Sequence, residues 1–264
     1  MKIIDPHIHM LARTTDEYRL MAEAGIVAVC EPASCPGADR RYAESHLDAF
    51  NHLTTFEPDR AASVGIQHYC VLAVNPREAE NVERTERVLE RIKPYLDRPT
   101  CLGIGETGLC RNTENEAQMF RRQLELAAEE ELICIIRTPD AEEKRQGTEI
   151  IAQVIEEVDP PRDLCVVDHC TRQTIQTARD TGCWTGLTVY PGALTPEEAA
   201  GLVRDFGTER MLVNSSADWG DSDPLATLVT VGAMRGMDLA ETTIEAVLWH
   251  NPRAFLGQSP KFKV

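Results

Sequence analysis

The sequence contains no apolar run long enough to span a membrane, and its opening residues lack the basic-then-apolar pattern of a signal peptide. It has no Lys/Arg stripe interleaved with aromatic residues, which make up only 5% of the chain. The formal charge of −16 repels polyanions over long range. Extensive nucleic-acid binding is therefore not expected, although a local cation cluster still admits a single phosphate. The nine cysteines include no C-x-x-C pair, and their number is odd. This argues against a disulfide framework and for buried, reduced thiols in a cytoplasmic protein. With no short-period repeat, low-complexity tract or linker, the 264 residues read as one domain, a length that α/β barrels reach.

What the chain does contain is a recurrence of apolar, β-branched runs. Strands are predicted near 2–5, 26–30, 68–74, 100–106, 133–137, 164–169, 184–190 and 211–214. Amphipathic patterns lie between them. Ile150, Ile151, Val154, Ile155 and Val158 follow three-four spacing, as do Phe120, Leu124 and Ala127. Gly25, Gly182 and Gly207 stand where helices should end, and Pro196 with Glu197 and Glu198 suits a first helical turn. Eight strand–helix units predict an α/β fold, a single-domain (β/α)8 TIM barrel. A doubly wound open sheet is the alternative. That fold usually carries a Gly-rich phosphate loop after its first strand, and here the turn reads Asp5-Pro6-His7-Ile8-His9. The longest connection, 31–63, is expected to form a helical flap over the catalytic face.

In extended backbone, His7 and His9 point the same way, so a strand ending in His-x-His delivers two imidazoles to one place. With 7 histidines in the chain, chance supplies about 0.2 such pairs, so the pattern alone does not exclude packed or strand-edge histidines. Other predicted strand ends add Glu31, Asn75, Glu106, Arg137 and His169, with Asp218 just beyond the last. Barrel enzymes build their sites from such positions. Leu102, Ile104 and Glu106 are expected to share one face, as are Cys165, Val167 and His169, with the apolar members filling the barrel. Carboxylates and imidazoles converging at the mouth are costly to bury unpaired, and a divalent cation removes that cost.

These residues resemble the TatD-related branch of the amidohydrolase-like metal-dependent hydrolases over nearly the whole length. The resemblance rests on His7-Ile8-His9, on Gly103-Ile104-Gly105-Glu106-Thr107-Gly108-Leu109 followed by Gln123-Leu124-Glu125-Leu126-Ala127, and on Asp168-His169-Cys170. Val213-Asn214-Ser215-Ser216-Ala217-Asp218-Trp219-Gly220, with Trp249-His250-Asn251-Pro252, is closer to an uncharacterised TatD-related subgroup than to the TatD nucleases. The resemblance implies that His7, His9, Glu106 and Asp218 hold one divalent metal, Zn, Mn or Mg. It also implies that Glu106 bridges to a second metal bound by His169. The departure is Arg137, where the family generally has a histidine ligand. A guanidinium has no lone pair to give a metal.

Three outcomes follow from Arg137: a one-metal enzyme, a site in which Arg137 holds an anionic substrate group, or an impaired catalyst. A structural role beside Glu106 or Asp140 is a further option. The leading expectation is hydrolysis of a small-molecule ester, phosphoester or amide by cation-activated water, with Asp218 as general base and acid and Glu106 in the catalytic centre. Alternatives are a TatD-type deoxyribonuclease, or a catalytically impaired barrel serving as a binding or assembly subunit. Glu31 and Trp219 are further candidate substrate contacts. Asp5 either orients an imidazole or caps its strand. His46 and His52 are expected on a surface helix or flap, His68 in packing, and Cys170 as a buried thiol.

Overall fold

Period-two alternation sorts the strand side chains between two apolar layers. The structure is a computed structural model and describes residues 1–35, 37–139 and 144–264. Among these, the strands form one eight-stranded sheet in chain order, its paired neighbours parallel. They are β1 (Ile3–Asp5), β2 (Ile26–Pro32), β3 (Gln67–Leu72), β4 (Cys101–Gly108), β5 (Ile133–Arg137), β6 (Cys165–Asp168), β7 (Trp184–Thr188) and β8 (Met211–Asn214). Between and after them lie α1 (Thr15–Glu23), α2 (Ala43–Ala62), α3 (Val82–Leu96), α4 (Glu114–Glu129), α5 (Lys144–Val158), α6 (Ile175–Asp180), α7 (Pro196–Phe206) and α8 (Ala226–Gly236). This is the predicted (β/α)8 barrel.

Ile4, Ala28, Val71, Ile135, Val166 and Leu212 form an inner cluster that Phe255, Leu256 and Phe262 join from the C-terminal segment. Their strand neighbours Ile3, Val29, Leu72, Ile136, Val167 and Val213 belong to the layer shared with the helices. The seam between β1 and β8 is bridged just past both strands. Ser216 N–H donates to the His7 carbonyl and His9 N–H to the Ala217 carbonyl, both at 2.8 Å. Barrel closure thus sets the two histidines against 215–218.

Local signals act as expected at the helix ends. Thr195 and Glu198 form a reciprocal cap at α7, whose first residue is Pro196, and Gly207 ends it with φ 77°. The connection 31–63 comprises the end of β2, a loop and α2. Its helix packs against β3 and α3 in the outer ring, while Ser34 and Cys35 of the loop reach the barrel mouth. His46 is a correction: it lies buried on α2 with Nε2 3.8 Å from Glu78, not on the surface.

Two expectations about strand faces are also overturned. In β6 the inner residue is Val166, whereas Cys165 and Val167 face the helices. In β4 the pairing register shifts on both sides of Ile104, which joins the helix-side layer while Leu102 stays inside.

Candidate metal centre

Each polar group reaches the mouth by its own local device. Val166 and Asp168 share the inner phase of β6, which would leave His169 pointing outward. His169 instead adopts a left-handed backbone, φ 58°, and its Nε2 lies 2.9 Å from Glu106 Oε1. His7 and His9 lie past the end of β1 on a turn pinned by Asp5. The Asp5 carboxylate accepts from His7 N–H at 3.2 Å and Ser215 N–H at 3.3 Å, which is the capping role. Burial raises the Asp5 pKa to about 6 against those hydrogen bonds.

The donor atoms then meet. Ligand atoms of His7, Glu106 and His169 all lie within 4.8 Å of one another. His7 Nε2 is 3.1 Å from His9 Nε2 and 3.6 Å from Glu106 Oε1. Nitrogens bound at 2.0–2.1 Å around a tetrahedral ion sit about 3.3 Å apart, so these spacings suit one divalent cation. The tautomers agree. His7 Nδ1 is 2.6 Å from Asp168 Oδ2 and His9 Nδ1 is 3.2 Å from the Pro32 carbonyl, so each Nδ1 carries the proton and each Nε2 faces the centre. The donor set fits a metal.

Electrostatics sharpen the site. Burial pushes the His9 pKa down to about 4, keeping its ring neutral. Burial also lowers His169, whereas for His7 the Asp168, Glu106 and Asp5 carboxylates outweigh burial and raise it. Burial opposes ionisation of Glu106, but the Arg137 charge and the His169 hydrogen bond hold its carboxyl well below the usual range. Arg137 Nη1 donates to Glu106 Oε1 at 3.3 Å, and Asn75 Nδ2 donates to Oε2 at 2.8 Å.

The centre opens into a cavity of about 950 Å³ lined by His9, Glu106, Arg137, His169, Asp218 and Trp219. Asp218 accepts from Tyr190 O–H at 2.9 Å and Gly220 N–H at 2.7 Å, and its charge acts on His9. Trp219 stands 63% exposed at the cavity. Glu31 does not line it. In β2 Ala28 and Cys30 belong to the inner cluster, so Glu31 shares the outer phase of Val29 and pairs with His68 Nε2 at 2.8 Å. Substrate contact by Glu31 is therefore corrected to a place behind the barrel wall. His68 is the buried packing residue expected, and Cys170 a buried thiol pushed up to about 12 by burial. Asp140 lies outside the described residues.

Sequence reasoning left Asp168, Asn75 and Tyr190 without a role. The Asp168-His169-Cys170 motif was the available signal for the first, and nothing local pointed to Tyr190.

The chain is 29% identical over 256 residues to an uncharacterized metal-dependent hydrolase of Methanocaldococcus jannaschii, covering 96% of this chain and 99% of that protein. The crystal structure of the TatD-like protein from Archaeoglobus fulgidus superposes with a TM-score of 0.79 at 30% identity, over 96% of this chain and 99% of that one. A phosphotriesterase homology protein from Escherichia coli, complexed with phosphate in its active site, shares the fold with a TM-score of 0.70 at 14% identity, over 97% and 98%. The family model described as TatD related DNase matches residues 4–232, and the chain belongs to that TatD-related family.

Proposed function

We propose that this protein is a metal-dependent hydrolase acting on a small ester, phosphoester or amide that carries a phosphate or carboxylate group. The observation that carries the reading is the convergence of His7 Nε2, His9 Nε2 and a Glu106 carboxylate oxygen, with His169 beside them, at a cavity whose wall includes the Arg137 guanidinium. His7, His9, Glu106 and Asp218 are the residues to hold one divalent cation, Zn, Mn or Mg. When bound, that cation supplies Lewis acidity and a nucleophilic water near neutral pH.

Arg137 replaces the histidine that a second ion would need, and its fixed charge already rests on Glu106. The reading is therefore of one tightly held ion. Arg137 engages the anionic group of the substrate, and His169 polarises the scissile bond. Asp218, oriented by Tyr190 and Gly220, accepts a proton from the attacking water and returns it to the leaving group. Trp219 walls the entrance. A net charge of −16 favours a small substrate over a polyanion, which sets this reading apart from deoxyribonuclease activity.

The test is metal analysis of the purified protein, followed by turnover of small phosphoesters, carboxyl esters, lactones and amides with Zn, Mn or Mg. Full activity in metal-free protein overturns the reading. Cleavage of DNA with none of the small molecules turned over replaces it with the nuclease, and bound metal without any turnover replaces it with the binding subunit.

A further inference from the structure

We infer that Asp168 is a positioning residue that fixes two imidazoles of the centre at once, through the ring of His7 and the backbone of His169. It lies at the end of β6 and is 2% exposed. Its Oδ2 accepts from His7 Nδ1 at 2.6 Å and from Asn214 Nδ2 at 3.1 Å. Its Oδ1 accepts from His169 N–H at 2.8 Å, Asn214 Nδ2 at 2.9 Å and Thr188 Oγ1 at 3.3 Å. Four donor groups converge on one side chain, and a carboxylate accepts them all without offering a competing donor. Asp168 thereby keeps the proton of neutral His7 on Nδ1 and leaves Nε2 to face His9 and Glu106. The same carboxylate clasps the N–H of His169, the residue whose left-handed backbone returns its ring to the mouth. The neighbouring strand is shaped for it. A Cβ at Gly186 would overlap Asp168 Oδ1, so β7 keeps a glycine there.

The inference rests on the proposed metal reading only for what the two Nε2 atoms serve. Its test uses metal-free protein labelled with ¹⁵N-histidine, at a pH where His7 is neutral, with the His7 ring assigned by its loss in His7→Gln. Long-range ¹H–¹⁵N spectra of the wild type should show His7 as the Nδ1–H tautomer. Asp168→Asn, whose carboxamide can present N–H to the ring, should move His7 toward Nε2–H and weaken Zn affinity about 10–100-fold in chelator competition. Thr188→Val, which removes one hydrogen bond to Asp168 and touches neither imidazole, should keep the tautomer.

A wild-type His7 carrying its proton on Nε2 overturns the inference without any variant, so a poorly folding Asp168→Asn does not shield it. An Asp168→Asn protein with unchanged tautomer and Zn affinity overturns it equally. Failure to find hydrolysis refutes the proposed function and leaves the tautomer result standing.

Discussion

Glu106 and Glu31 are both buried carboxylates lying against a histidine, yet their affinities for a proton move in opposite directions. Burial opposes ionisation in each. At Glu106 the Arg137 guanidinium, His169 and His7 outweigh it, and the carboxyl is held far below its ordinary range. At Glu31 only His68 and the Leu11 N–H help, burial wins, and the pKa rises. A second contrast runs through their surroundings. Glu31, Glu57 and His68 also bring ligand-type atoms within 4.8 Å of one another. There, however, Glu57 is taken up by Arg60 at 2.7 Å, His52 at 2.9 Å and the Tyr18 hydroxyl at 3.2 Å, and the group does not line the cavity. Clustered donors are therefore not enough. Glu106 is as well partnered as Glu57. What separates the two regions is that His7 and His9 keep their Nε2 lone pairs unspent at the mouth, whereas His68 Nε2 is taken by Glu31, and that solvent and substrate reach only the mouth.

The strongest way to break this comparison is to remove a donor from each region and measure metal. His7→Ala or His9→Ala should lower Zn or Mn affinity by more than the ~100-fold that loss of an outer hydrogen-bond partner brings, and hydrolysis should vanish with it. Unchanged metal content, measured by elemental analysis, would remove the mouth from consideration. Glu57→Leu should do the reverse. It strands the largely buried Arg60, so chemical denaturation should show a loss of about 3 kcal/mol while metal content stays at one equivalent. Loss of metal in Glu57→Leu, with the fold intact, would reverse the assignment of the two regions.

The barrel was legible because strand runs and helix stripes differ in period, and because Thr195, Pro196 and Gly207 mark helix ends by local chemistry alone. The convergence of His7, His9, Glu106 and His169 was legible for a related reason, since each lies at or just past the end of its strand. Side-chain phase was not legible. Parallel strands are buried on both faces, so Ile26-Val27-Ala28-Val29-Cys30 carries no alternation to say which way Glu31 points. The register shifts around Ile104 and the left-handed turn at His169 leave no local signature either, and these decide which face a residue reaches. His46 was misplaced on the surface because Glu78 and Arg84, which face it together with the nearby Arg40, come from distant parts of the sequence.

Arg137→Ala brings Glu106 closer to the condition of Glu31 by taking away its guanidinium. A hydrogen bond to a charged group is worth ~1.5–3 kcal/mol, so kcat/KM for an anionic ester should fall about tenfold or more, carried chiefly by KM. A neutral ester of the same leaving group should lose less. Equal losses on both substrates would assign Arg137 to Glu106 alone and withdraw it from substrate binding.

The smallest expected effect is a change of slope at Glu31. Its folded pKa is raised above the ordinary 4.5, chiefly by burial, so the folded protein holds that proton more tightly than the unfolded chain. The stability this contributes is complete below about pH 4.5 and is lost as pH rises through the folded value. Glu31→Gln copies the protonated form and removes the titration. Denaturation midpoints measured from pH 4 to pH 7 should therefore show the wild type losing ground to Glu31→Gln as pH increases. Parallel curves would mean that His68 and the Leu11 N–H offset burial after all, and a wild type gaining ground would place Glu31 with Glu106, among carboxylates that the fold prefers charged.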